Sequence, residues 1–394
     1  NPTYKEAMDY LIQLERSSKP IAFDIETIAN ETACIGFANN PNSGICINFR
    51  DDTTNRYSSS DEMQLRDRIQ RLFNNPKKRF IAQQGSFDSG WLWFKDRIHV
   101  PKVWYDTLLA HHTLYPRMPH NLGYLTAQYT DHPYYKDEGK NWREGGNIDE
   151  FWEYNVKDCC ITWAVHAAIT DELKAQGMED FFFNHVMRLQ PHLIQMQVGG
   201  ILADLGLKDK ISNELKDELD ELLKDFHSQV ETLTGDRDFK PNPNSPKQVG
   251  ELFFSYLGLV GRGSSTNEEN RIRMYEHVRT TDEQRGLLDT FNKYKKDFKF
   301  YSTYATQRPD EDGRIRCEYK QYGTQEAPGR LSSSGTMWGS GMNLQNQPKR
   351  AYPMFICDEG YMFSYFDLKQ AEAKVVAYLW NVRQLIETFE RAAT

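Results

Sequence analysis

Two carboxylates stand two residues apart near the start of the chain. Asp24 and Glu26 lie in residues 21–27, where apolar and acidic residues alternate. Alternation predicts a β-strand and puts both acidic side chains on the same face of its sheet. Because neighbouring carboxylates repel each other, such a pair usually has a cation to bind. Alone the spacing is a weak signal, since many strands carry it without a metal.

Two further segments carry acidic residues that could join this pair. Asp88 comes directly after Phe87, at a predicted loop or helix start. Tyr154 and Asp158 are four residues apart in the long helix predicted over residues 149–175, so they share one helix face. By itself this second pair also fits a surface carboxylate beside a half-buried ring. The order of the three elements along the chain is more informative than any one of them.

Taken in that order, the three elements resemble the DEDD 3′→5′ exonucleases that have a Tyr in the third motif. The resemblance implies an RNase H-like fold in which Tyr154 orients the attacking water. It also implies two divalent ions held by four carboxylates, Asp24, Glu26, Asp88 and Asp158. Two hard cations roughly 3.5–4 Å apart activate a water and stabilise the leaving 3′ oxygen. Mg²⁺, two ions per site, suits all-oxygen ligands, and Mn²⁺ stays open as a substitute.

The second motif departs from the family pattern at one position. The family usually has Asn four residues before the motif's Asp, whereas this chain has Gln84, an amide one methylene longer. A site of this kind receives a frayed 3′ end, whose bases stack on apolar and aromatic side chains. The candidates for stacking are Phe87, Trp91 and Trp93, two of which we expect to pack in the core instead.

A second group of residues lies near the end of the chain. Residues 329–334 (GRLSSS) and 343–348 (NLQNQP) resemble the signature before the catalytic strand of family A DNA polymerases, and the insertion 335–342 is similar to phage members. The resemblance implies that Arg330 enters the minor groove at the primer terminus. Acceptors common to all base pairs there let an Arg test pair geometry without reading sequence. Template or primer contacts are implied for Asn343, Gln345 and Asn346.

Residues 363–378 resemble motif A of the same family's palm. By this resemblance Asp367 ends an apolar strand and binds both catalytic metal ions, with the Leu368 carbonyl as a further ligand. Gln370 would lie beside the incoming nucleotide. Glu372 would pack against the sugar and exclude a 2′-hydroxyl, which selects deoxynucleotides.

Two residues of motif A depart from the usual pattern. Lys369 replaces a Ser, and Lys374 replaces an Arg, which puts any Arg-specific contact there in doubt. The fingers motif with Lys, Tyr and Gly and the His-Asp-Glu strand of a family A polymerase do not occur in this sequence. We therefore expect that this chain alone cannot polymerise. Either a second polypeptide supplies fingers and motif C, as in a split polymerase, or the chain is a truncation.

Charge does not by itself favour a nucleic-acid partner. The formal net charge is −8, whereas phosphate binding needs Lys and Arg. One basic stretch occurs, and from it we select Lys296 as a DNA contact, although a solvated helix face is an equally good interpretation. The stretch comprises Lys293, Lys295, Lys296 and Lys299. The six cysteines have no zinc or redox spacing, which favours reduced thiols in an intracellular protein.

Strand and helix patterns predict an α/β protein in three parts. These are an RNase H-like exonuclease domain over residues 1–185, a mainly helical thumb over 186–313 and the first part of an α+β palm over 314–394. Strands are predicted at 21–27, 34–38, 45–49 and 80–82, with strand character again after residue 314. Helices are predicted at 61–73 with Ser60 as cap, at 149–175, 205–233, 247–257 and 287–304.

These resemblances together predict a proofreading DNA polymerase of phage type. Its expected partners are a DNA primer-template, a single-stranded DNA 3′ end and dNTP, in the cytoplasm of a bacterium or phage-infected cell and with no membrane. Two alternatives stay open. One is a free-standing 3′→5′ exonuclease of RNase D type acting on RNA, which has no need for the Arg330 loop or Glu372. The other is a catalytically silent DNA-binding subunit, which has no need for the intact acidic set.

Overall fold

The computed structural model describes residues 1–51, 53–138, 147–323 and 329–391. The α-helices are α1 (Tyr4–Arg16), α2 (Ser59–Phe73), α3 (Gly85–Asp96), α4 (Thr107–Leu114), α5 (Leu122–Tyr129), α6 (Ile148–Ala175), α7 (Glu179–Phe181), α8 (Met187–Gly199), α9 (Leu205–Thr234), α10 (Pro246–Gly250), α11 (Glu268–Glu276), α12 (Asp282–Phe300), α13 (Ala371–Leu379) and α14 (Arg383–Arg391). The strands are β1 (Ile21–Ile28), β2 (Glu31–Ala38), β3 (Gly44–Asn48), β4 (Phe80–Ala82), β5 (Tyr105–Asp106), β6 (Ile201–Ala203), β7 (Arg314–Ile315), β8 (Glu318–Lys320), β9 (Ser332–Ser334) and β10 (Phe355–Ile356). Wider π-turns cover Phe182–Val186, Glu251–Tyr256 and Tyr301–Ala305, and a 3₁₀ helix covers Lys349–Met354.

The first five strands form one sheet in the order β3-β2-β1-β4-β5. β1, β2 and β3 are antiparallel neighbours, and β4 and β5 run parallel to β1. The parallel strands are reached through α2 and α3, because a parallel connection needs a crossover element. This arrangement confirms the predicted RNase H-like fold of the N-terminal domain. The predicted hairpin of β2 and β3 is also confirmed.

One face of the sheet is apolar and packs on α2. Phe23 of β1 meets Phe73 of α2 and Phe80 of β4 edge-on, with ring centroids 5.1 and 6.1 Å apart. Phe37 of β2 joins the same cluster at 6.1 Å from Phe73. These rings are almost completely buried. Because side chains alternate along β1, burying Phe23 turns Asp24 to the opposite face.

That opposite face is covered by α6, which crosses close to Asp24. Gly36 of β2 pairs with Asp24 in the sheet register. A side chain at Gly36 would overlap the Asn155 amide and come within 2.8 Å of the Cys159 sulfur, both on α6. The glycine therefore lets the helix approach the strand at the point where the acidic pair lies.

The region after residue 200 is mainly helical, as predicted. The helix predicted over residues 205–233 is α9, and the last predicted helix begins five residues earlier than expected, at Asp282 of α12. α9 and α12 pack through Phe226 and Phe291, whose rings lie 5.9 Å apart, and Phe253 joins them. Val230 of α9 belongs to the same small core and Leu223 packs against it, so one face of this charged helix is apolar.

The predicted cap of α2 was wrong by two residues. Ser58, not Ser60, is the N-cap, and its hydroxyl accepts a hydrogen bond from the amide of Asp61. Three serines in a row make each a plausible cap, but the cap must stand three residues before the amide that it satisfies. Ser60 already lies inside the helix.

The chain divides into two compact units, Asn1–Phe355 and Ile356–Thr394. The second unit contains α13 and α14 and exposes large apolar side chains, including Phe363, Phe366 and Trp380. The strand predicted before Asp367 was wrong, since residues 361–368 have no regular structure. Among the described residues no strand pairs with this segment, and a strand needs a neighbour for its backbone hydrogen bonds. Within the described ranges, no helix is long and apolar enough to cross a membrane.

Candidate active site

The strand β1 and the helix α6 bring three carboxylates together. Oxygens of Asp24, Glu26 and Asp158 all lie within 4.8 Å of one another, close enough to share a cation. The β1 ladder with β2 shifts register between Glu26 and Thr27, so the strand is irregular directly after the acidic pair. Oxygen-only ligands at this spacing fit a hard divalent cation. The cluster is therefore a candidate metal centre.

Asp88 lies beside this cluster, in the first turn of α3. Its side chain is 3% exposed, and its Oδ1 accepts a hydrogen bond of 3.0 Å from the backbone amide of Ile25, between Asp24 and Glu26. Three of the four predicted ligands are thus close enough to bind one cation. The fourth, Asp88, is hydrogen-bonded to β1, the strand that carries Asp24 and Glu26. The four predicted carboxylates meet in one region.

Two residues of the third motif are tied into the same region. Asp158 accepts hydrogen bonds from the Tyr135 hydroxyl at 2.6 Å and from the Lys136 ammonium at 2.5 Å. Lys136 also donates to the Tyr154 oxygen at 2.8 Å, so one ammonium joins both third-motif side chains. Asn155 donates to Asp24 Oδ2 at 2.9 Å and thereby links α6 to β1.

The electrostatics of the site are those of crowded carboxylates. Burial, followed by repulsion from Asp88, Asp158 and Glu26, raises the pKa of Asp24 well above its usual range. Burial raises the pKa of Asp88 to about 7. Burial also raises the pKa of Asp158, although the Lys136 ammonium opposes this effect. Such shifts mean that the charged forms are poorly compensated by the protein, and a divalent cation would compensate them.

The start of α3 is held by a buried carboxylate that sequence reasoning missed. Asp106 at the end of β5 accepts backbone hydrogen bonds from Gln84 and Gly85, at 3.1 and 2.8 Å. It also accepts from Leu108 at the start of α4 and from the Gln190 side chain of α8. Asp106 therefore fixes the turn from which Asp88 projects.

Gln84, the departure from the family pattern, has left-handed backbone angles. Its φ is 61° and its ψ is 44°, and its side chain makes no capping hydrogen bond to α3. Left-handed angles cost most side chains about 1 kcal/mol, and Asn tolerates them better than Gln. The usual Asn at this position thus has a conformational reason that does not depend on any metal contact.

The three aromatic stacking candidates have different surroundings. Trp91 is 2% exposed, and its indole nitrogen donates to Thr32 at 2.9 Å, so it belongs to the core. Trp93 packs against His99, with ring centroids 4.2 Å apart. Phe87 is half-buried, stacks on Trp91 at 6.0 Å and directly precedes Asp88. Phe87 is the best placed of the three to meet a base.

The two halves of the later signature meet in space. The Ser333 hydroxyl donates to Asn343 Oδ1 at 2.6 Å, and that oxygen also accepts from the amides of Gln345 and Asn346 at 2.9 and 3.2 Å. Asn343 therefore organises the loop internally, while the side chains of Gln345 and Asn346 are exposed. Arg330, in the first half of the signature, is exposed.

The insertion between these halves packs on the helix that carries Asp88. Trp338 is 7% exposed and stacks on Phe94 of α3, with ring centroids 4.1 Å apart and planes 13° apart. The Arg316 guanidinium lies over the same Phe94 ring at 4.8 Å. Met337 approaches Gly90, one turn earlier on α3. The α3 helix thus joins the acidic site to the region of the later signature.

The remaining predicted residues are exposed. Lys296 lies on the exposed face of α12. In the second unit, Asp367 and Leu368 are exposed, and Gln370 precedes α13 with a left-handed φ of 55°. Glu372 lies in the first turn of α13. Their predicted roles in nucleotide and metal binding stay predictions.

Comparison with known proteins gives two matches to families. The family described as 3′-5′ exonuclease matches residues 1–174, and DNA polymerase family A matches residues 209–393. DNA polymerase I of Pseudomonas aeruginosa is 26% identical over 94% of this chain and 42% of its own length. The DNA polymerase of Escherichia phage T5 is 25% identical over 75% of this chain and 37% of its own length. The chain thus spans about two fifths of the length of these relatives.

The fold is shared with solved structures, of which we compare one. It is the POL domain of Pol1 from M. smegmatis, in complex with DNA primer-template and dNTP. The similarity covers 91% of this chain and 58% of that one, with a TM-score of 0.65 and 18% identity. The acidic site lies in the segment that matches the exonuclease family, and the Ser333–Asn343 loop lies in the segment that matches the polymerase family. Residues 1–174 are therefore similar to the 3′-5′ exonuclease family, and residues 209–393 are similar to DNA polymerase family A.

Proposed function

We propose that this chain removes nucleotides from the 3′ end of DNA and supplies the thumb and the first part of the palm of a family A DNA polymerase. The observation that carries the nuclease function is the meeting of Asp24 and Glu26 with Asp158, from two distant parts of the chain, within 4.8 Å. The proposed division is an exonuclease domain over residues 1–185, a thumb over 186–313 and the start of a palm over 314–394. The segments that match the two families support this order.

The residues fit a pair of Mg²⁺ ions, with Mn²⁺ as a substitute. The donor set is all oxygen, and the raised pKa values of the crowded carboxylates mark a site short of positive charge. Asp24, Glu26, Asp88 and Asp158 would hold the ions, which when bound supply charge stabilisation for the phosphodiester and an activated water.

The protein's own part in the reaction is to position the water and the 3′ end. Tyr154 holds the attacking water through its hydroxyl, which lies beside Asp158 on the same face of α6. Phe87 stacks on the terminal base, next in sequence to Asp88. Asn155 keeps Asp24 aimed at the cluster through its 2.9 Å hydrogen bond. Held in this geometry, the reactants avoid most of the entropic cost of meeting.

For the polymerase part, we infer the ligands from the solved relative, which was determined with a DNA primer-template and dNTP. Arg330, Asn343, Gln345 and Asn346 would contact the primer-template, together with Lys296 on the thumb. Asp367 and the Leu368 carbonyl would bind metal, and Gln370 and Glu372 would contact the nucleotide. A polypeptide that carries fingers and motif C would cover the apolar side chains exposed in residues 361–380.

The test of the nuclease function compares wild type with Asp24→Ala. We expect wild type to shorten labelled single-stranded DNA from its 3′ end in Mg²⁺, and to act far more slowly on RNA of the same sequence. Removing one ligand of a two-metal site should lower the rate by at least about 10³-fold. Equal activity of Asp24→Ala and wild type would refute the assignment, and faster cleavage of RNA would favour an RNase D-type enzyme.

The polymerase inference has its own assay. Purified chain with primed DNA and dNTP should give no extension, because the carboxylates of motif C do not occur in this sequence. Extension by this chain alone would contradict the requirement for a further polypeptide segment.

A further inference from the structure

We propose that Lys136 is a positioning residue of the nuclease site, which holds the Tyr154 hydroxyl in register with Asp158. The inference rests on the proposed exonuclease function and assigns a role to a residue that neither motif spacing nor the acidic cluster points to. Lys136 lies in a turn that follows α5, outside all three motifs.

The contacts of the Lys136 ammonium are specific. It donates to Tyr154 at 2.8 Å and to Asp158 Oδ2 at 2.5 Å, and it lies over the rings of Tyr135 and Tyr154, at 5.3 and 4.7 Å from their centroids. Its side chain is 20% exposed. Gly123 of α5 leaves room for its stem, since a side chain there would lie 3.2 Å from Lys136 Cγ. Two aromatic rings, one carboxylate and a glycine thus form a closely fitted position for one lysine.

The direction of these hydrogen bonds defines the role. An ammonium can only donate, so the Tyr154 oxygen must accept from Lys136. The phenol proton is then left for an acceptor inside the cluster, either Asp158 or a water held there. Without the ammonium, the hydroxyl could rotate and turn its lone pairs to the cluster. Lys136 therefore fixes both the place and the donor direction of the group that orients the water.

Lys136 also supplies a positive charge in a region crowded with carboxylates. Because it bonds to Asp158, it competes with a cation for that oxygen. A Lys136→Met variant should therefore bind Mg²⁺ alone as tightly as wild type, or more tightly, while it loses activity. A residue that merely supports the fold would not separate metal binding from turnover in this way.

The experiment uses the full chain with Lys136→Met, Lys136→Arg, Tyr154→Phe and the double variant Lys136→Met/Tyr154→Phe. The matched control is Lys157→Met, which also removes one positive charge and one ion pair, that with Glu138. The assays are 3′ removal from single-stranded DNA under steady-state and single-turnover conditions, and titration calorimetry with Mg²⁺ in the absence of DNA.

We expect Lys136→Met to lower kcat about 10- to 100-fold with little change in KM, as for loss of a charge-assisted hydrogen bond. In the Tyr154→Phe background the same change should cost less than about threefold, because the group that it positions is gone. Lys136→Arg should restore part of kcat, and Lys157→Met should resemble wild type.

Four results would overturn the proposal. One is full activity of Lys136→Met, and another is a raised KM with unchanged kcat, which would make Lys136 a substrate-binding residue. The third is an unreduced loss of activity in the Tyr154→Phe background, and the fourth is a loss of Mg²⁺ binding by Lys136→Met. Asp24→Ala is the reference, since it must be inactive if the nuclease function is correct. If the Lys136 variants behave like wild type while Asp24→Ala is inactive, the role proposed for Lys136 is wrong and the nuclease function stands.

Discussion

Replacing Asp88 by Asn should stabilise the metal-free protein while it abolishes nuclease activity. Asp88 is 3% exposed, and its side chain accepts a hydrogen bond from the Ile25 amide at 3.0 Å. The Asn oxygen can accept the same hydrogen bond, so the substitution removes the charge and little else. The substitution thus removes a buried carboxylate whose charged form lowers the stability of the folded state.

The size of this cost follows from the pKa. Burial raises the pKa of Asp88 from 3.8 to about 7, and each unit corresponds to about 1.4 kcal/mol. Because the folded pKa is above the unfolded one, the folded state binds the proton more tightly. Wild type is therefore penalised progressively as pH rises from about 4 to about 7, and fully above that range. The penalty is on the order of 4 kcal/mol at pH 8 and falls to less than about 2 kcal/mol at pH 5.

The assay is urea unfolding in the presence of a chelator, at pH 5 and pH 8, followed by tryptophan fluorescence. Six of the eight tryptophans precede residue 170, so the signal reports chiefly on the domain that holds Asp88. We expect Asp88→Asn to be about 2–4 kcal/mol more stable than wild type at pH 8, and less than about 2 kcal/mol more stable at pH 5. Saturating Mg²⁺ should stabilise wild type and have much less effect on the variant.

The control is Asp9→Asn, which removes an exposed carboxylate from α1 and should change stability by less than about 0.5 kcal/mol. The reasoning is refuted if Asp88→Asn is no more stable than wild type at pH 8 without metal. It is equally refuted if the advantage is the same at pH 5, since a titrating carboxylate must give a pH-dependent difference.

Two further predictions concern α3. Trp338→Ala should lower the free energy of unfolding by about 3–5 kcal/mol, because it empties the space over Phe94, whereas Trp338→Phe should cost less than about 1.5 kcal/mol. The indole nitrogen of Trp338 has no hydrogen-bond partner among the described residues, so the Phe variant gives up no hydrogen bond, and urea unfolding of both variants measures the difference. Gln84→Asn should raise the midpoint of thermal unfolding, by the equivalent of about 0.5–1 kcal/mol, because Asn adopts the left-handed φ of 61° more readily; an unchanged midpoint would count against backbone strain at Gln84.

The sequence predicts the elements of the site better than the contacts between them. Alternation in β1 and the four-residue spacing in α6 are local properties, and both predicted elements are present. The close approach of α6 at Gly36 depends on two segments more than a hundred residues apart, and nothing local marks that glycine. Asp106 and Lys136 were missed for the same reason, since their partners are distant in sequence.

The palm strand shows the opposite limit. The apolar run before Asp367 predicts a strand, but a strand forms only where a neighbouring strand can pair with its backbone N–H and C=O groups. In the described part of the second unit the run is exposed and irregular. The pattern of apolar residues therefore indicates which side chains a segment could bury, whereas a neighbouring strand decides whether that segment forms a β-strand.

Positions that break local rules gather around the acidic site. Gln84 adopts a left-handed backbone without being Gly, and Asp88 is a buried carboxylate. Each of these costs stability when considered alone, and the costs concentrate where four carboxylates must be held together. The surrounding structure is correspondingly over-determined, with Asp106 fixing the turn and Asn155 fixing the strand. A preorganised site requires this combination of local strain and rigid support. A cation and a 3′ end can offset the repulsion between the carboxylates only if the rigid support keeps the carboxylates together before the cation binds.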